Sequence, residues 1–551
     1  MPACSPPATS PGEVSMTRLT RVELIRLYKT IHTWTGIVAG LALFIAFYAG
    51  ALTMFKEPLA RWASPPPAVL TPLDRVDELI TRTLAARPDA RKEFTLHLGD
   101  GRGVPGRLSW QKSREDESPW VAELTESGEL EIVQRSPSAL AQIVDFLHRT
   151  AGIPGDLDIG TAFTGVMSAL YLLALVSGVV ILLPSLVKDF FALRLGANLK
   201  RLWLDAHNLV GIVSLPFHMV IALTSVVFGL HDTIYDSLDA AVYEGRLRQV
   251  MRASSPFNAV RPDERPAAML PHQELVARVV AVEPGFRPVS LQYREGGTQG
   301  ALVRVWGHDP RYLVRGKGFA VVGPLTGEVV NTEYLPGHQG PWSATVASFF
   351  SLHFGSFGGA PIRWSYFFLG LAGAFLFYSG NLLWIETRRK TERRKGGPVE
   401  QSRSVRLMAI ATVGICLGCV CGLSLTIAAG QWLPGRVGDV NAWHRGLYYA
   451  AFLGSVAWAA VRGAARAGSE LLWLAAAATA LIPLTALLAG TVPALGLGPA
   501  MADGSGVELV ALGGALCFAA MARAAGRRIA DGPRDSIWSA VAPRPVPAEG
   551  R

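Results

Sequence analysis

The sequence predicts a mainly α-helical membrane protein. The expectation is about eight transmembrane helices, an internally duplicated four-helix core and two small α+β domains outside the bilayer. Three observations lead there. Charged residues make up 17% of the 551-residue chain, apolar residues make up 50%, and the mean hydropathy is +0.29; a soluble chain usually carries about 25% charge. Apolar runs near the roughly 20 residues that span a hydrocarbon core recur along the chain. One block of sequence also occurs twice.

The apolar runs fall near 34–55, 162–187, 206–230, 364–386, 405–429, 445–462, 471–490 and 507–525, the third interrupted by Pro216 and His218. The first run is longer than the 7–15 residues of a signal peptide's apolar region and is read as a retained helix. Basic residues set the orientation. Lys188, Arg194, Lys200 and Arg201 lie between the second and third runs, Arg388 to Lys395 between the fourth and fifth, and Arg527, Arg528 and Arg534 after the last. All fall on one side if both termini are cytoplasmic. The organisation expected is a cytoplasmic tail over 1–21, a first span over 22–56 and an outer domain over 57–160. Two spans follow over 161–230, then a second outer domain over 231–355 and a fourth span over 356–392. A four-span extension covers 393–530 and a Pro-rich disordered tail 531–551. The net charge of +9 is explained by these basic anchors, so nucleic-acid binding is not expected.

Each outer segment carries a helical pattern followed by strand-like runs. In the first, 72–87 is helical and strands are expected near 93–98, 107–111 and 120–124. In the second, the helix is near 273–282 and strands near 288–293, 300–306, 318–322 and 328–332. Neither segment contains a cysteine. Cys4 is near the N-terminus, and Cys416, Cys419, Cys421 and Cys517 lie in apolar runs. Gly414, Gly418 and Gly422 interleave with the cluster, which reads as small-residue helix packing.

The duplication aligns Ile31-His32-Thr33-Trp34-Thr35-Gly36-Ile37-Val38 with Ala206-His207-Asn208-Leu209-Val210-Gly211-Ile212-Val213. It also aligns Phe146-Leu147-His148 with Ser351-Leu352-His353, and Leu175-Val176-Ser177-Gly178 with Phe377-Tyr378-Ser379-Gly380. Each copy crosses the membrane twice, so the copies enter with the same orientation and are related by a pseudo-two-fold axis along the membrane normal. That axis brings His32 to His207 on the inner side and His148 to His353 on the outer side. Two histidines facing one another supply the two axial ligands of one haem iron, so two b-type haems are expected. Gly36 and Gly211, four residues after the inner histidines, share their helix face and leave room for a flat macrocycle.

The other histidines read differently. His218 follows His207 by eleven residues, about 16 Å along a straight helix and on the same face. It stays open as an alternative ligand, although the first copy has Leu43 at the matching place. His97, His272, His308 and His338 belong to the outer domains, where a solvated surface is expected. His338, in Pro336-Gly337-His338-Gln339-Gly340 near the return to the membrane, is also a candidate to touch a substrate. His231 is expected at the interface and His444 as a structural residue.

The pattern His32-x-Trp34-x-Gly36, Asp205-x-His207-Asn208-x-x-Gly211, Leu352-His353-Phe354-Gly355 with Gly358-Gly359, and Gly380-Asn381-Leu382-Leu383-Trp384 resembles the PepSY-associated transmembrane family. That family includes iron-regulated membrane proteins and periplasmic siderophore reductases. The resemblance covers about residues 22–392. It implies two PepSY-like domains on the periplasmic side of a bacterial inner membrane, a haem-carrying core, and one-electron reduction of a ferric-siderophore complex. Trp342, Phe354 and Arg363 are the candidate substrate contacts. The chain departs from the simplest members in its four further spans, and it shows no dinucleotide-binding glycine motif. The donor is then a separate cytoplasmic protein, a small reductant or a quinol, with the extension forming a quinol pocket or a partner surface. Two other readings stand beside the reductase: a non-enzymatic PepSY-type sensor or regulator, and a transporter of iron complexes suggested by the span count and the repeat.

Overall fold

A computed structural model describes residues 21–64, 70–101, 104–112, 118–135, 138–187, 199–253, 263–313, 316–395, 399, 401–497 and 506–539. The N-terminal tail with Cys4, the Pro65–Pro67 linker, Lys188, Arg194 and the end of the C-terminal tail lie outside the described residues.

The first copy opens with α1 (Arg21–Thr53) and α2 (Lys56–Ala63), then α3 (Val76–Ala86). Strands β1 (Glu93–His97), β2 (Leu108–Trp110), β3 (Trp120–Leu124) and β4 (Leu130–Gln134) follow. The chain returns through α4 (Leu140–Thr150) and α5 (Leu157–Leu182), the latter capped by Asp156, whose carboxylate accepts from the amides of Asp158 and Ile159. The second copy repeats this order. It has α6 (Leu199–Val213), α7 (Leu215–Gly229), short α8 (His231–Leu238) and α9 (Leu247–Ala253), then α10 (His272–Val282). Strands β5 (Arg287–Arg294), β6 (Leu302–His308), β7 (Gly318–Val322) and β8 (Val329–Asn331) precede α11 (Pro341–Phe354) and α12 (Gly359–Arg394). The extension contributes α13 (Arg403–Ala429), α14 (Val440–Arg462), α15 (Ala464–Thr491) and α16 (Gly506–Asp531).

Among the described residues, six helices are long and apolar enough to cross a membrane: α1, α5 with its extension to Ser185, α12, α13, α15 and α16. A seventh span exists only if α6 and α7 count together, and they are bent by 72°. The bend falls at Ser214, two residues before Pro216, which has no amide hydrogen to continue the ladder. This corrects the straight 206–230 helix of the sequence reading and, with it, the inference that His207 and His218 project from one face. The expected sixth span is the helix α14, but Asn441, His444 and Arg445 in its first turns hold it below the apolarity of the others.

The expected helices and strands of the outer segments are present, and β4 is an addition. Their assembly was not foreseen. All eight strands form one antiparallel sheet in the order β4-β3-β2-β1-β5-β6-β7-β8. The copies join through β1 and β5, from Glu93 opposite Arg294 to His97 opposite Ser290. Across that seam Phe94 stacks on Tyr293 with ring centroids 4.6 Å apart. Helices α3 and α10 contribute Leu79, Ile80, Leu275 and Val279 to the same apolar core, so both cover one face. Two histidines placed on the surface by sequence are not solvated. His272 is buried, with its amide and Nδ1 both on the Asp77 carboxylate. His97 is half-buried with Nε2 3.0 Å from Ser109 Oγ.

In the membrane part, the closest helix approaches occur where side chains are smallest. Gly165 of α5 lies against the backbone of Gly229 in α7, and Gly370 of α12 lies against Ala51 of α1. The closing helix of each copy therefore packs on the opening element of the other. In the extension, Gly414, Gly418 and Gly422 of α13 seat against Val456, Phe452 and Tyr448 of α14. The buried thiols of Cys416, Cys419 and Cys421 sit on the same helix, which bears out the packing account of that cluster.

Two facing histidine pairs in the duplicated core

His32 is carried by α1 and His207 by α6, and their ring centroids are 6.4 Å apart with planes at 85°. His148 near the end of α4 and His353 near the end of α11 lie 6.1 Å apart with planes at 38°. Both of these short helices end within two residues of the histidine and close on a left-handed residue, Ala151 at φ 50° and Gly355 at φ 58°. The turn sends the chain from the outer sheet into α5 and α12. The pairing expected from the repeat is thus the pairing in space.

Each of the four rings is held through Nδ1 by its own copy. His32 Nδ1 donates to Ala174 O on α5 at 2.8 Å, and His148 Nδ1 to Ala46 O on α1 at 2.7 Å. A carbonyl can only accept, so both rings carry their proton on Nδ1 and leave the Nε2 lone pair free. His207 Nδ1 is 2.9 Å from Ser379 Oγ, and His353 Nδ1 is 2.8 Å from Thr224 Oγ1. Those hydroxyls spend their own hydrogen on Leu376 O and Val220 O, so they accept from the rings and set the same tautomer. The ring backs are closed by glycine. A Cβ on Gly50 would lie 2.7 Å from His148 Nδ1, and one on Gly178 would lie 3.1 Å from His32 Cε1. Gly380, the counterpart of Gly178, stands behind His207 at 3.8 Å. The sequence reading used the shared Ser-Gly of Ser177-Gly178 and Ser379-Gly380 only to align the copies; its place behind the rings depends on which helices become neighbours.

The donor set fits a bis-histidine haem. Two Nε2–iron bonds of about 2 Å and about 1.1 Å from each nitrogen to its ring centre require about 6 Å between centroids. Anchoring Nδ1 on a carbonyl or hydroxyl is the usual support of a metal-bound imidazole. The Cβ position of Gly36 meets nothing within 4 Å and that of Gly211 only Leu376 at 3.9 Å, so the helix faces beside His32 and His207 are open. No group of three or more His, Cys, Asp or Glu side chains able to hold a bare metal ion occurs among the described residues. Two protein ligands suffice when a porphyrin supplies the other four.

His218 is elsewhere. It is 1% exposed, and neither ring nitrogen has a hydrogen-bond partner among the described residues. Its ring packs against Phe47 at 5.7 Å, Tyr171 at 6.0 Å and Phe217 at 5.3 Å, with no second histidine ring among these neighbours. Tyr171 is three residues before Ala174, and Phe47 follows Ala46. The His218 cluster therefore lies between the two pairs. Fourteen residues of α1 separate His32 from Ala46, about 21 Å of helix.

The remaining candidates do not gather at one point. Phe354 adjoins His353 at 5.5 Å between ring centroids. Trp342 is 78% exposed at the other end of α11, about 16 Å from His353 by helical rise. Arg363 is exposed in the first turns of α12. His338 Nε2 lies 3.4 Å from Glu283, which also binds Arg311. His231 is exposed beside Asp232, and His308 is exposed at the end of β6. His444 is fully buried with both ring nitrogens unpartnered.

Compared with known proteins, the chain matches the family model described as the PepSY-associated TM region over residues 29–387. No curated protein matches it.

Proposed function

The chain belongs to the PepSY-associated TM region family, and from that premise we propose that it is a di-haem oxidoreductase of the bacterial inner membrane that reduces a ferric-siderophore complex in the periplasm. The observation that carries the reading is the matched support of four histidines: two pairs of neighbouring rings, each ring held through Nδ1 so that Nε2 is left for a further bond. His32 with His207, and His148 with His353, would hold one haem each. When bound, such a group would supply one-electron transfer.

The chain's own residues do the rest. Ala174, Ser379, Ala46 and Thr224 fix the tautomers and orient the rings. The bundle excludes water from the space between the pairs, where Phe47, Tyr171, Phe377 and His218 pack together. The shared sheet joins the membrane core through α4 and α11, the two helices that carry His148 and His353. An acceptor bound beneath the sheet would lie next to that pair. With the basic side cytoplasmic, as the positive-inside rule requires, this is the periplasmic end.

The test is haem quantification on purified wild-type protein and on the four single His→Ala variants. Two haems in the wild type are expected, one in each variant, and two in His218→Ala. An absent Soret band and pyridine haemochrome in the wild type would sink the reading and favour a sensor or regulator. Uptake of iron complexes into proteoliposomes without reductant would favour a transporter. Two haems retained in His32→Ala would break the pairing.

A further inference from the structure

Outside the duplicated core, a cavity of about 1170 Å³ lies between the core helices α1 and α12 and the extension helices α13, α15 and α16. It exceeds the roughly 300–1,000 Å³ of pockets for drug-sized molecules. Along most of its length the walls are apolar and aromatic. Ser424 and Thr479, which line it, hydrogen-bond each other at 2.8 Å and so ask nothing of a ligand.

One end differs. Trp62 of α2, Gln431 just after α13 and Glu508 in the first turn of α16 all line the cavity there and are 7%, 7% and 8% exposed. Trp62 Nε1, Gln431 Oε1 and Glu508 Oε1 are buried without a hydrogen-bond partner among the described residues. The Gln431 amide nitrogen donates to Trp62 O at 3.3 Å, which leaves its oxygen as the free group. Leaving a buried polar group unpaired is costly. A donor, an acceptor and a carboxyl left unpaired at one end of an apolar chamber mark the head site of an absent ligand. This end is also close to the second histidine pair: Trp62 and Leu140 share an apolar cluster, and Leu140 opens the helix that carries His148.

We propose that this cavity binds a membrane quinol, whose two ring hydroxyls donate to Gln431 Oε1 and Glu508 Oε1 and accept from Trp62 Nε1, with its isoprenoid tail between α1, α12, α13 and α16. The ligand must have a compact uncharged head able both to donate and to accept, and a long apolar tail. A phospholipid phosphate offers only acceptors to the free oxygens of Gln431 and Glu508, whereas a quinol donates to both. The extension, absent from the matched region, then has a purpose, which is to build one wall of this site. As the source of electrons, the quinol site rests on the oxidoreductase reading; as a binding site, it does not.

The experiment uses the full chain, purified in detergent and delipidated. Decylubiquinol is titrated without oxygen while tryptophan fluorescence is followed, and co-purifying quinone and phospholipid are quantified by mass spectrometry. Saturable quenching is expected, with quinone recovered from the untreated protein. Glu508→Leu should weaken binding about tenfold, the loss of one well-made hydrogen bond. It should also leave the ligand-free melting temperature unchanged or raised, because an unpaired buried carboxyl is removed. Ala511→Trp, which fills the cavity, should abolish quenching. Equal binding by wild type and both variants, or phospholipid alone with no saturable quinol binding, would overturn the proposal. Haem content is read from the same samples. Haem without quinol binding defeats this inference alone, and quinol binding without haem defeats only the reading it rests on.

Discussion

Thr224 Oγ1 lies 2.8 Å from His353 Nδ1 while donating its own hydrogen to Val220 O one turn back on α7. The hydroxyl has a single hydrogen, so it faces the ring as an acceptor. This holds His353 in the tautomer that leaves its Nε2 lone pair free, with the His148 ring 6.1 Å away. Thr224→Val keeps the shape and removes the acceptor. The expected result is a 10- to 100-fold weaker hold on haem at this pair, the usual size of an outer-partner effect, with the His32/His207 pair unaffected. Redox titration of the two haem signals checks it, and Thr224→Ser should restore the wild-type midpoint.

Gly50 separates a local steric effect from general destabilisation. An alanine there would place its Cβ 2.7 Å from His148 Nδ1, so the ring must move. In an ordinary helix position the same change would stabilise by about 0.5–1 kcal/mol. Gly50→Ala should therefore lose haem at the His148/His353 pair without a fall in yield or melting temperature of the haem-free protein. Gly36→Leu is the complementary change, because the Cβ position meets no protein atom within 4 Å. It should lower haem content at the inner pair alone. Haem stoichiometry unchanged in both variants would contradict the placement of the macrocycles.

The sheet carries its own pH dependence. Burial, with Lys317 and Arg107 nearby, pushes His97 down from 6.5 to about 4. The folded sheet prefers the neutral ring, while the unfolded chain takes up a proton near 6.5. The stability from this site is thus fully present above pH 6.5 and is lost as pH falls from there toward 4. Thermal melts of the wild type should show a falling melting temperature over that window, and His97→Gln should flatten it. A wild-type profile level from pH 7 to 4.5 would contradict the assignment.

Phe94 tests whether the two outer halves are one structure. Its ring is 1% exposed and stacks on Tyr293 across the β1–β5 seam. Phe94→Ala should cost about 3–5 kcal/mol. Because the seam belongs to both copies, protease sensitivity should rise together over 93–134 and 287–331. A rise confined to the first segment would mean two separately folded domains.

The amino-acid sequence by itself determined which histidines meet. Two aligned His-x-x-x-Gly blocks and two aligned Leu-His pairs, each copy crossing the membrane twice, leave a two-fold arrangement as the consistent solution, and the pairs His32–His207 and His148–His353 follow from it. Most of the apolar runs and every strand of the outer segments except β4 were legible as well, because composition and periodicity are local properties. Four matters were decided only by tertiary structure. The 72° bend at Ser214 removed His218 from the line of His207; a proline marks a break but not its angle. The union of two sheets through β1 and β5 depends on an edge that no local pattern records. The tautomers of the four rings depend on Ala174, Ser379, Ala46 and Thr224, all of them distant in sequence from the histidine they hold. The cavity with Trp62, Gln431 and Glu508 at its end joins three segments, and sequence order gives no sign that they meet.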